Sequence, residues 1–357
     1  MPATIGRDHS ARTVTTPQPA MYKRSSVAGV RRFLVLAAGY AVVFLGIAAV
    51  PGFACKLIGS IILFLITFHF ALLGHDAGHG HATSSSVLNR WIGRLSFLMS
   101  YVPFSAWLAG HNALHHGYTN LRGKDPHWAP LSKTEYDALS PMERLYERIC
   151  RSPFGVMLGN MRDAWSSFVV PNAPTQMHIP NRTTLRLEQA ATLGVLVLQV
   201  AGVLTWQSYL EQAWDLPAEP VAGLLAAILV PHLLLNWWTG MLSFVHHTHP
   251  KTRWYATVAD WRKAQTEVEC SVHLVAPWWI ECLLGNSLEH TAHHVAPKVG
   301  EVQQSEIQHQ LEESQPEIIQ KVHLFDCLQI LAACKLYDYE NHRWLDFDGN
   351  VTSETAQ

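Results

Sequence analysis

The sequence predicts an all-α integral membrane protein, with about four transmembrane helices in two hairpins, interfacial helices and a cytoplasmic helical cap that carries histidine-rich segments. Hydrophobic residues make up 48% of the 357 residues and charged residues only 15%, whereas soluble domains usually carry about 25% charged residues. The thirteen tryptophans fit the aromatic belts of membrane proteins. Four apolar stretches approach the roughly 20 residues that a helix needs to cross a bilayer: 33–50, 57–74, 188–206 and 221–245.

Basic residues near the ends of these stretches predict their orientation. Lys and Arg precede the first stretch and recur between the second and third, whereas the link at 207–220 holds Glu211, Asp215 and Glu219 but neither Lys nor Arg. Lys and Arg accumulate in the cytoplasmic loops of membrane proteins. We therefore expect both termini, the middle segment and the histidine clusters on the cytoplasmic side.

A further apolar stretch, 91–109, is expected to be interfacial or re-entrant rather than a fifth span. It contains Arg94 and Pro103. If it crossed the membrane fully, the histidine cluster before it and the cluster after it would lie on opposite membrane faces. From about residue 301 the alternation of acids, Gln and aliphatics predicts an amphipathic helix, followed by a frayed tail after about 350. The predicted division is a cytoplasmic tail at 1–32, a membrane domain at 33–300 and a cytoplasmic C-terminal segment at 301–357.

Composition also excludes several classes of protein. The formal net charge of −2 provides no basic field, so nucleic acid is not an expected partner. The six cysteines are widely spaced without a C-x-x-C motif, which fits neither a disulfide framework nor a zinc ribbon. We interpret them as reduced packing residues. The polar N-terminal region leads into no short apolar core with a cleavage site, so no cleaved signal peptide is predicted.

Eleven of the twenty-one histidines fall in four clusters, "HDAGH", "HNALHH", "HHTHP" and "HTAHH". On an α-helix, residues i and i+4 stand on one face. His75 with His79, His111 with His115, and His290 with His294 are therefore expected to aim in pairs at one point. The adjacent His116 and His293 would then face a neighbouring direction, toward a second ion.

The number of imidazoles indicates how many ions are bound. A zinc site takes four ligands, whereas eight or nine convergent imidazoles suit two ions. Neutral imidazole is a common ligand for iron, copper, zinc and nickel. His69 and His232 are interpreted as helix residues bonded to neighbours, and His81 and His127 as supporting or interfacial residues near the clusters.

These motifs resemble the histidine boxes of the membrane fatty acid desaturase superfamily, with "FVHHTHP" similar to a segment of the acyl-lipid, omega-type branch. The resemblance implies a non-haem di-iron centre that uses O2 and two electrons to oxidise a fatty acyl chain. It implies as ligands His75, His79, His111, His115, His116, His290, His293, His294 and one histidine of "HHTHP". We choose His247 for the last, with His246 and His249 left open. Residues expected to orient the imidazoles are Asp76, Asn112, Asn286 and Glu289.

Removing hydrogen from an unactivated carbon needs an oxidant that side chains cannot supply. Insertion of a double bond is the leading prediction. The same centre suits decarboxylation of free fatty acids to terminal 1-alkenes, or hydroxylation of an acyl or alkyl chain. A non-enzymatic membrane metal transporter is a remote alternative, because transporters bind near the bilayer midplane and these clusters follow the ends of spans.

The expected partners are a fatty acyl substrate, the lipid bilayer and a separate electron donor of the ferredoxin, rubredoxin or cytochrome type. The sequence contains no His-Pro-Gly-Gly haem-binding motif. We expect the donor to bind the basic segment at 122–162, which includes Arg144, Arg148 and Arg151. The aromatic residues predicted to line a substrate tunnel are Phe104, Trp107, Trp237 and Trp238.

Overall fold

The computed structural model describes residues 25–169, 179, 181–264, 266–285 and 287–353. Within them, four helices are long and apolar enough to cross a membrane, which confirms the four predicted spans and extends each of them. The spans are Ser26–Ala49 (α1), Phe53–Gly78 (α2), Arg182–Trp214 (α9), and Pro220–Val245, which joins α10 (Pro220–Leu224), a π-helical turn (Leu225–Leu229) and α11 (Val230–Val245).

A buried lysine ties the two hairpins together at the end opposite the histidines. Gly52 has a φ of 84° and begins α2 directly after the α1 end. The Nζ of Lys56 donates to the carbonyls of Ile47 at 3.0 Å and Val50 at 2.6 Å, which satisfies the last turn of α1. Glu219, which precedes α10, lies 3.4 Å from the same Nζ and accepts from the amide of Gly52. The charge of Lys56, the only Lys or Arg in residues 51–56, is therefore balanced by Glu219 within the fold.

The stretch around 91–109 forms a helical hairpin that leaves the histidine side and returns to it, as predicted. Helix α3 (Ser86–Leu98) packs against α2. The chain turns at Tyr101, whose φ is 55°, and the amides of Tyr101 and Val102 donate to the carbonyls of Leu98 and Phe97. It returns as α4 (Phe104–Trp107) and a π-helix (Leu108–His115).

Glu188 of α9 anchors this hairpin from outside. One carboxylate oxygen accepts from Arg94 of α3 at 2.8 Å, and the other accepts from the amide of Ser105 at 2.7 Å. The arginine that argued against a fifth span thus has a buried acidic partner. The amides of Tyr101, Val102 and Ser105 thus all have acceptors within the protein.

The segment between the hairpin and α9 consists of short helices. Ser132 and Ser140 begin two of them with capping boxes to Glu135 and Glu143. One helix, α6, exposes large apolar side chains along one face, as expected of an interfacial helix. The elements are α5 (Lys133–Ala138), α6 (Pro141–Cys150), α7 (Val156–Asn160), a π-helical turn (Met161–Trp165) and α8 (Ser166–Val169).

The remainder combines short helices with two small sheets. Strand β1 (Val272–Val275) pairs in parallel with β2 (Gln320–His323), and β3 (Leu336–Asp338) pairs antiparallel with β4 (Arg343–Leu345). The helices are α12 (Val258–Trp261), α13 (Thr266–Glu269), α14 (Trp278–Leu283), α15 (His290–Val295), α16 (Glu301–Ser314), α17 (Cys327–Ala333) and a 3-10 turn at Leu324–Asp326. The molecule is therefore mostly helical with little sheet.

The predicted helix beyond 301 is confirmed only as α16. The prediction is wrong for 320–323, because Val322 is buried and the backbone pairs with β1, a partner distant in sequence. The frayed tail is also wrong at 351–353, where Thr352 donates its amide to the carbonyl of Trp344, while 354–357 lie outside the described residues. The domain division at 32 and 300 stays a prediction.

Candidate metal centre

The nine histidines come from four elements that meet on one side of the spans. His75 lies in the last turns of α2 and His79 ends that helix. The π-helix carries His111 and His115, and His116 ends it. The remaining ligand candidates are His247, two residues after α11, and the three on α15, which are His290, His293 and His294.

Eight of these imidazoles form two groups, and the ligand atoms within each group lie within 4.8 Å of one another. Group A consists of His75, His79, His111 and His293, and group B consists of His115, His247, His290 and His294. The pairs 75/79 and 290/294 fall into one group each, as the helical spacing predicts. His293 belongs to the group opposite its neighbours on α15, also as predicted.

The prediction is wrong for His111 and His115, which belong to different groups. They lie on a π-helix, in which the amide of His116 donates to the carbonyl of His111 at 3.0 Å. This wider turn aligns residues i and i+5 instead of i and i+4. The Nε2 atoms of His111 and His116 consequently lie 3.1 Å apart, and His115 is free to join group B.

The spacing of the ring nitrogens fits metal binding. The Nε2 of His290 lies 2.8 Å from that of His247 and 3.1 Å from that of His294. The Nε2 atoms of His116 and His293 are 3.0 Å apart. Two imidazole nitrogens bound to one ion at about 2.1 Å and at right angles lie about 3 Å apart. The buried Nε2 of His79 has no hydrogen-bond partner in the described structure, as expected of a nitrogen reserved for a metal.

In group B, the opposite ring nitrogens of His115 and His247 face close hydrogen-bond partners. The Nδ1 of His115 lies 3.1 Å from both carboxylate oxygens of Asp125. The Nδ1 of His247 donates to the carbonyl of Cys270 at 2.8 Å. Fixing the proton on Nδ1 leaves the Nε2 lone pair pointing inward, which is the tautomer a metal requires.

Asp125 is the main residue that the sequence analysis missed. It also accepts from the amides of Asn120 and His127, and its carboxylate lies 3.3 Å from the Nδ1 of His127. Although burial opposes ionisation, the contacts with His115 and His127 lower the pKa of this carboxyl. The sequence indicated such a role only through the position of Asp125, nine residues after the "HNALHH" motif at 111–116.

The four predicted orienting residues have different surroundings. Asp76 accepts from Arg32 at 2.9 Å and lies 3.8 Å from the Nδ1 of His75 and 3.4 Å from His81. Asn112 contacts no imidazole in the described structure and donates to the carbonyl of Gly78, which joins the first box to the second. Glu289 accepts from Ser305, and burial raises its pKa to about 7. Asn286 lies outside the described residues.

The other two histidines of the "HHTHP" segment, His246 and His249, belong to neither group. His246 is buried and stacks on His290 at 4.1 Å between ring centroids, but it belongs to neither group. Burial lowers its pKa to about 3. His249 bonds the amide of Lys251. His69 bonds the carbonyl of Leu283, and His232 bonds Asn236, as expected of helix residues with local partners.

The surroundings of His79, His111, His290, His293 and His294 favour the neutral form of the imidazole ring. Burial first, and then repulsion between neighbouring imidazoles, lower the pKa of group members far below the ordinary value. Neutral rings are the form that binds metals. A dense set of uncharged, inward-facing nitrogens is a ready donor set for two ions of the first transition row.

A cavity of about 240 Å³ extends from the histidines into the membrane part of the fold. Its upper wall includes His75, His111 and His290, and its lower walls include Phe68, Leu235 and other side chains of α2, α11 and the 160–168 segment. Trp107 lines it, as predicted. The other aromatic predictions are wrong: Phe104 packs on Phe97, Trp238 packs on Phe68, and Trp237 donates to the carbonyl of Pro153.

Several known proteins are similar to this chain in sequence. The family model described as "Fatty acid desaturase" matches residues 51–324, which include all nine histidines. The sn-1 oleoyl-lipid 12-desaturase of Synechocystis sp. is 25% identical over 329 residues, covering 92% of this chain and 88% of that protein. The chloroplastic omega-6 fatty acid desaturase of Spinacia oleracea is 23% identical over 289 residues, 80% of this chain and 60% of that protein. The sn-1 acyl-lipid omega-3 desaturase (ferredoxin) of Synechocystis sp. is 28% identical over 230 residues, 63% and 58% respectively.

Proposed function

This chain belongs to the fatty acid desaturase family, and from that premise we propose that it inserts a carbon–carbon double bond into the acyl chain of a membrane lipid. In the overall reaction, two adjacent CH2 groups each lose one hydrogen atom. One O2 takes up these two hydrogens, two electrons and two protons, and leaves as two water molecules. The observation that carries the proposal is the convergence of two four-histidine groups at the end of an apolar cavity.

The donor sets fit a di-iron centre. Group A, group B and His116 would together hold two iron ions, with His247 as the ligand from the "HHTHP" segment. Iron bound there supplies the O2 activation that no side chain provides. The support for this assignment is the neutral, inward-facing Nε2 atoms and the proton-holding partners Asp125 and the Cys270 carbonyl.

The residues of this chain contribute placement and exclusion of water. The apolar side chains Phe68, Leu72 and Leu242 line the cavity below the histidines, where they would hold an acyl chain and keep bulk water out. Trp107 stacks on His111 at 4.5 Å between ring centroids and so closes one side of group A. The reacting carbons would lie where this cavity meets the two groups.

Desaturation is favoured over the other outcomes open to such a centre. The three relatives described above are all named as acyl-chain desaturases, which supports double-bond insertion over hydroxylation or decarboxylation. The histidine groups follow the ends of spans instead of lying within broken helices at mid-membrane, which disfavours a transporter.

We also propose that the histidine side faces the cytoplasm and that a ferredoxin-type protein delivers the electrons there. One relative carries "ferredoxin" in its name. Arg144 and the exposed Arg148 of α6 suit an acidic donor. Arg151 does not, because it is 4% exposed, pairs with Glu147 and stacks on Trp128.

Product analysis tests the function. Membranes that contain the chain, an oleoyl lipid, O2 and reduced ferredoxin are expected to yield a dienoic acyl chain by gas chromatography, whereas His111→Ala yields none. The His69→Ala variant is a matched control, since His69 bonds a backbone carbonyl and belongs to neither group. Formation of alcohol or 1-alkene instead of the diene would overturn the proposal.

A further inference from the structure

The lower end of the cavity is unexpectedly polar for a site that receives a hydrocarbon chain. Ser100, Asn160 and Trp165 line the cavity there, together with Asn236 and Thr239 of α11. Asn236 is ten residues before His246, or about 15 Å along a helix at 1.5 Å per residue. This lower end therefore lies deep within the membrane part of the fold, where polar side chains are costly and usually functional.

Part of this polar set is a fixed network. The side-chain Nδ2 of Asn160 donates to the Oδ1 of Asn236 at 3.0 Å and lies 3.3 Å from the hydroxyl oxygen of Thr239. Asn236 in turn donates its amide to the Nε2 of His232 at 3.1 Å. Because an amide nitrogen only donates, the Nε2 of His232 accepts, and the ring proton of neutral His232 is on Nδ1.

Three hydrogen-bond donors around this network have no acceptor among the described residues. Ser100 is 4% exposed, and its hydroxyl has no partner. The buried Nε1 of Trp165 and the buried Nδ1 of His232 also lack partners among the described residues. The centroids of these two rings lie 5.4 Å apart. The His232 ring further contacts Tyr101, the residue after Ser100, at 5.0 Å. Buried polar groups in folded proteins almost always have a partner, so these donors require an acceptor.

The charge of the cavity defines that acceptor. The described residues that line it include no Lys and no Arg. A carboxylate in such surroundings would be a buried, unpaired charge, which is strongly unfavourable. An uncharged oxygen with lone pairs, such as a carbonyl, accepts from these donors without that penalty.

We propose that Ser100 and Trp165, supported by the Asn160–Asn236–His232 network, form a binding subsite for a neutral carbonyl oxygen of the substrate. The inference rests on the proposed function, because it assigns this cavity to an acyl lipid. The oxygen comes either from the ester that links the chain to its lipid or from an oxygen substituent on the chain itself. Either source makes the subsite a determinant of where the chain stops in the cavity, and thus of which carbons reach the histidines.

Binding measurements with matched probes separate these sources. The purified full-length protein is titrated, without electron donor so that no turnover occurs, with three lipids: an oleoyl ester, its ether-linked counterpart, and an ether-linked lipid with a ketone on the chain. We expect one carbonyl-bearing probe to bind about fivefold more tightly than the plain ether, as for one or two hydrogen bonds. A preference for the ester assigns the ester carbonyl, and a preference for the ketone assigns a chain oxygen.

Two conservative variants test the residues. Ser100→Ala and Trp165→Phe each remove one donor and keep most of the side-chain volume, so each is expected to reduce the preference about twofold. Phe168→Leu alters the same wall without removing a donor and is expected to change binding of all three probes equally. Equal binding of the three probes by the unaltered protein, or a full preference in both variants, would overturn the proposal. Desaturation of the oleoyl ester, assayed separately, tests the proposed function on its own.

Discussion

Groups A and B each gather four imidazoles, but their outward-facing nitrogens have different surroundings. In group B, His115 contacts a buried carboxylate at 3.1 Å and His247 donates to a backbone carbonyl at 2.8 Å. In group A, the Nδ1 of His75 is 3.8 Å from Asp76 and the Nδ1 of His293 is 3.4 Å from the amide of Gln304.

The difference teaches that the two donor sets are organised by different means. In group B, Asp125 and the carbonyl of Cys270, which lie in loops outside the spans, hold the rings of His115 and His247 through hydrogen bonds. The end of α2 and ring contacts, such as that between Trp107 and His111, hold group A. Hydrogen-bonded partners of metal ligands commonly raise metal affinity. We therefore expect group B to be rigid before a metal binds and group A to become ordered with it.

The largest expected effect distinguishes His246 and His247, the two neighbouring histidines that follow α11. His247→Ala removes a member of group B and is expected to abolish desaturation and lower the metal content by about one ion per chain. His246→Ala removes a ring that stacks on His290 without joining either group, so it is expected to keep both ions. Elemental analysis of the two purified variants measures the difference. Loss of an ion only in His246→Ala would show that the ligand was assigned to the wrong residue.

A smaller effect is expected when the carboxylates beside the two groups, Asp125 and Asp76, are replaced. Asp125→Asn is expected to lower metal affinity and activity about 10- to 100-fold, the usual range for partners of ligating histidines. Asp76→Asn is expected to cost less, because the closest contact of Asp76 is with Arg32. Metal titration of the stripped proteins gives both affinities. Equal losses would contradict the proposed asymmetry of the groups.

The comparison also predicts the order of metal loss. With a chelator, the purified protein is expected to lose its ions in two phases, with the ion of group A leaving first. Measuring bound metal against time resolves the phases. In Asp125→Asn the phases are expected to merge, because the anchor of group B is gone. A single phase in the unaltered protein would show that the groups are held equally.

The smallest effect concerns the anchor of the re-entrant hairpin. Glu188→Gln weakens the partly buried ion pair with Arg94 and is expected to lower the Tm by about 2–4 °C while metal content stays the same. Lys263→Gln is a matched control, since its ion pair with Asp260 is solvent-exposed and such pairs contribute little. A loss of metal in Glu188→Gln would show that the hairpin anchor also positions the π-helix.

Much of the fold follows from local sequence properties. The four spans and the re-entrant nature of 91–109 follow from hydropathy and from Arg94 and Pro103, because the bilayer penalises each polar residue separately. The strand at 320–323 does not, since its partner at 272–275 is distant in sequence. Pairing between distant segments leaves no local pattern to read.

The grouping of the histidines was predictable from the sequence where they lie on regular α-helices. The α-helical period placed the 75/79 and 290/294 pairs correctly, but no local signal marks the π-helical turn that separates His111 from His115. Asp125 was missed for a related reason. A loop that follows the second box folds back onto it, and this depends on tertiary structure instead of spacing.

The hairpin between His79 and His115 also constrains how the chain is made. Its turn at Tyr101 lies within the membrane part of the fold, and its acidic anchor, Glu188, is translated more than 80 residues later. A nascent chain released before α9 emerges would carry Arg94 without its counter-charge. The contacts of Glu188 with Arg94 and with the amide of Ser105 can therefore form only after α9 has been synthesised.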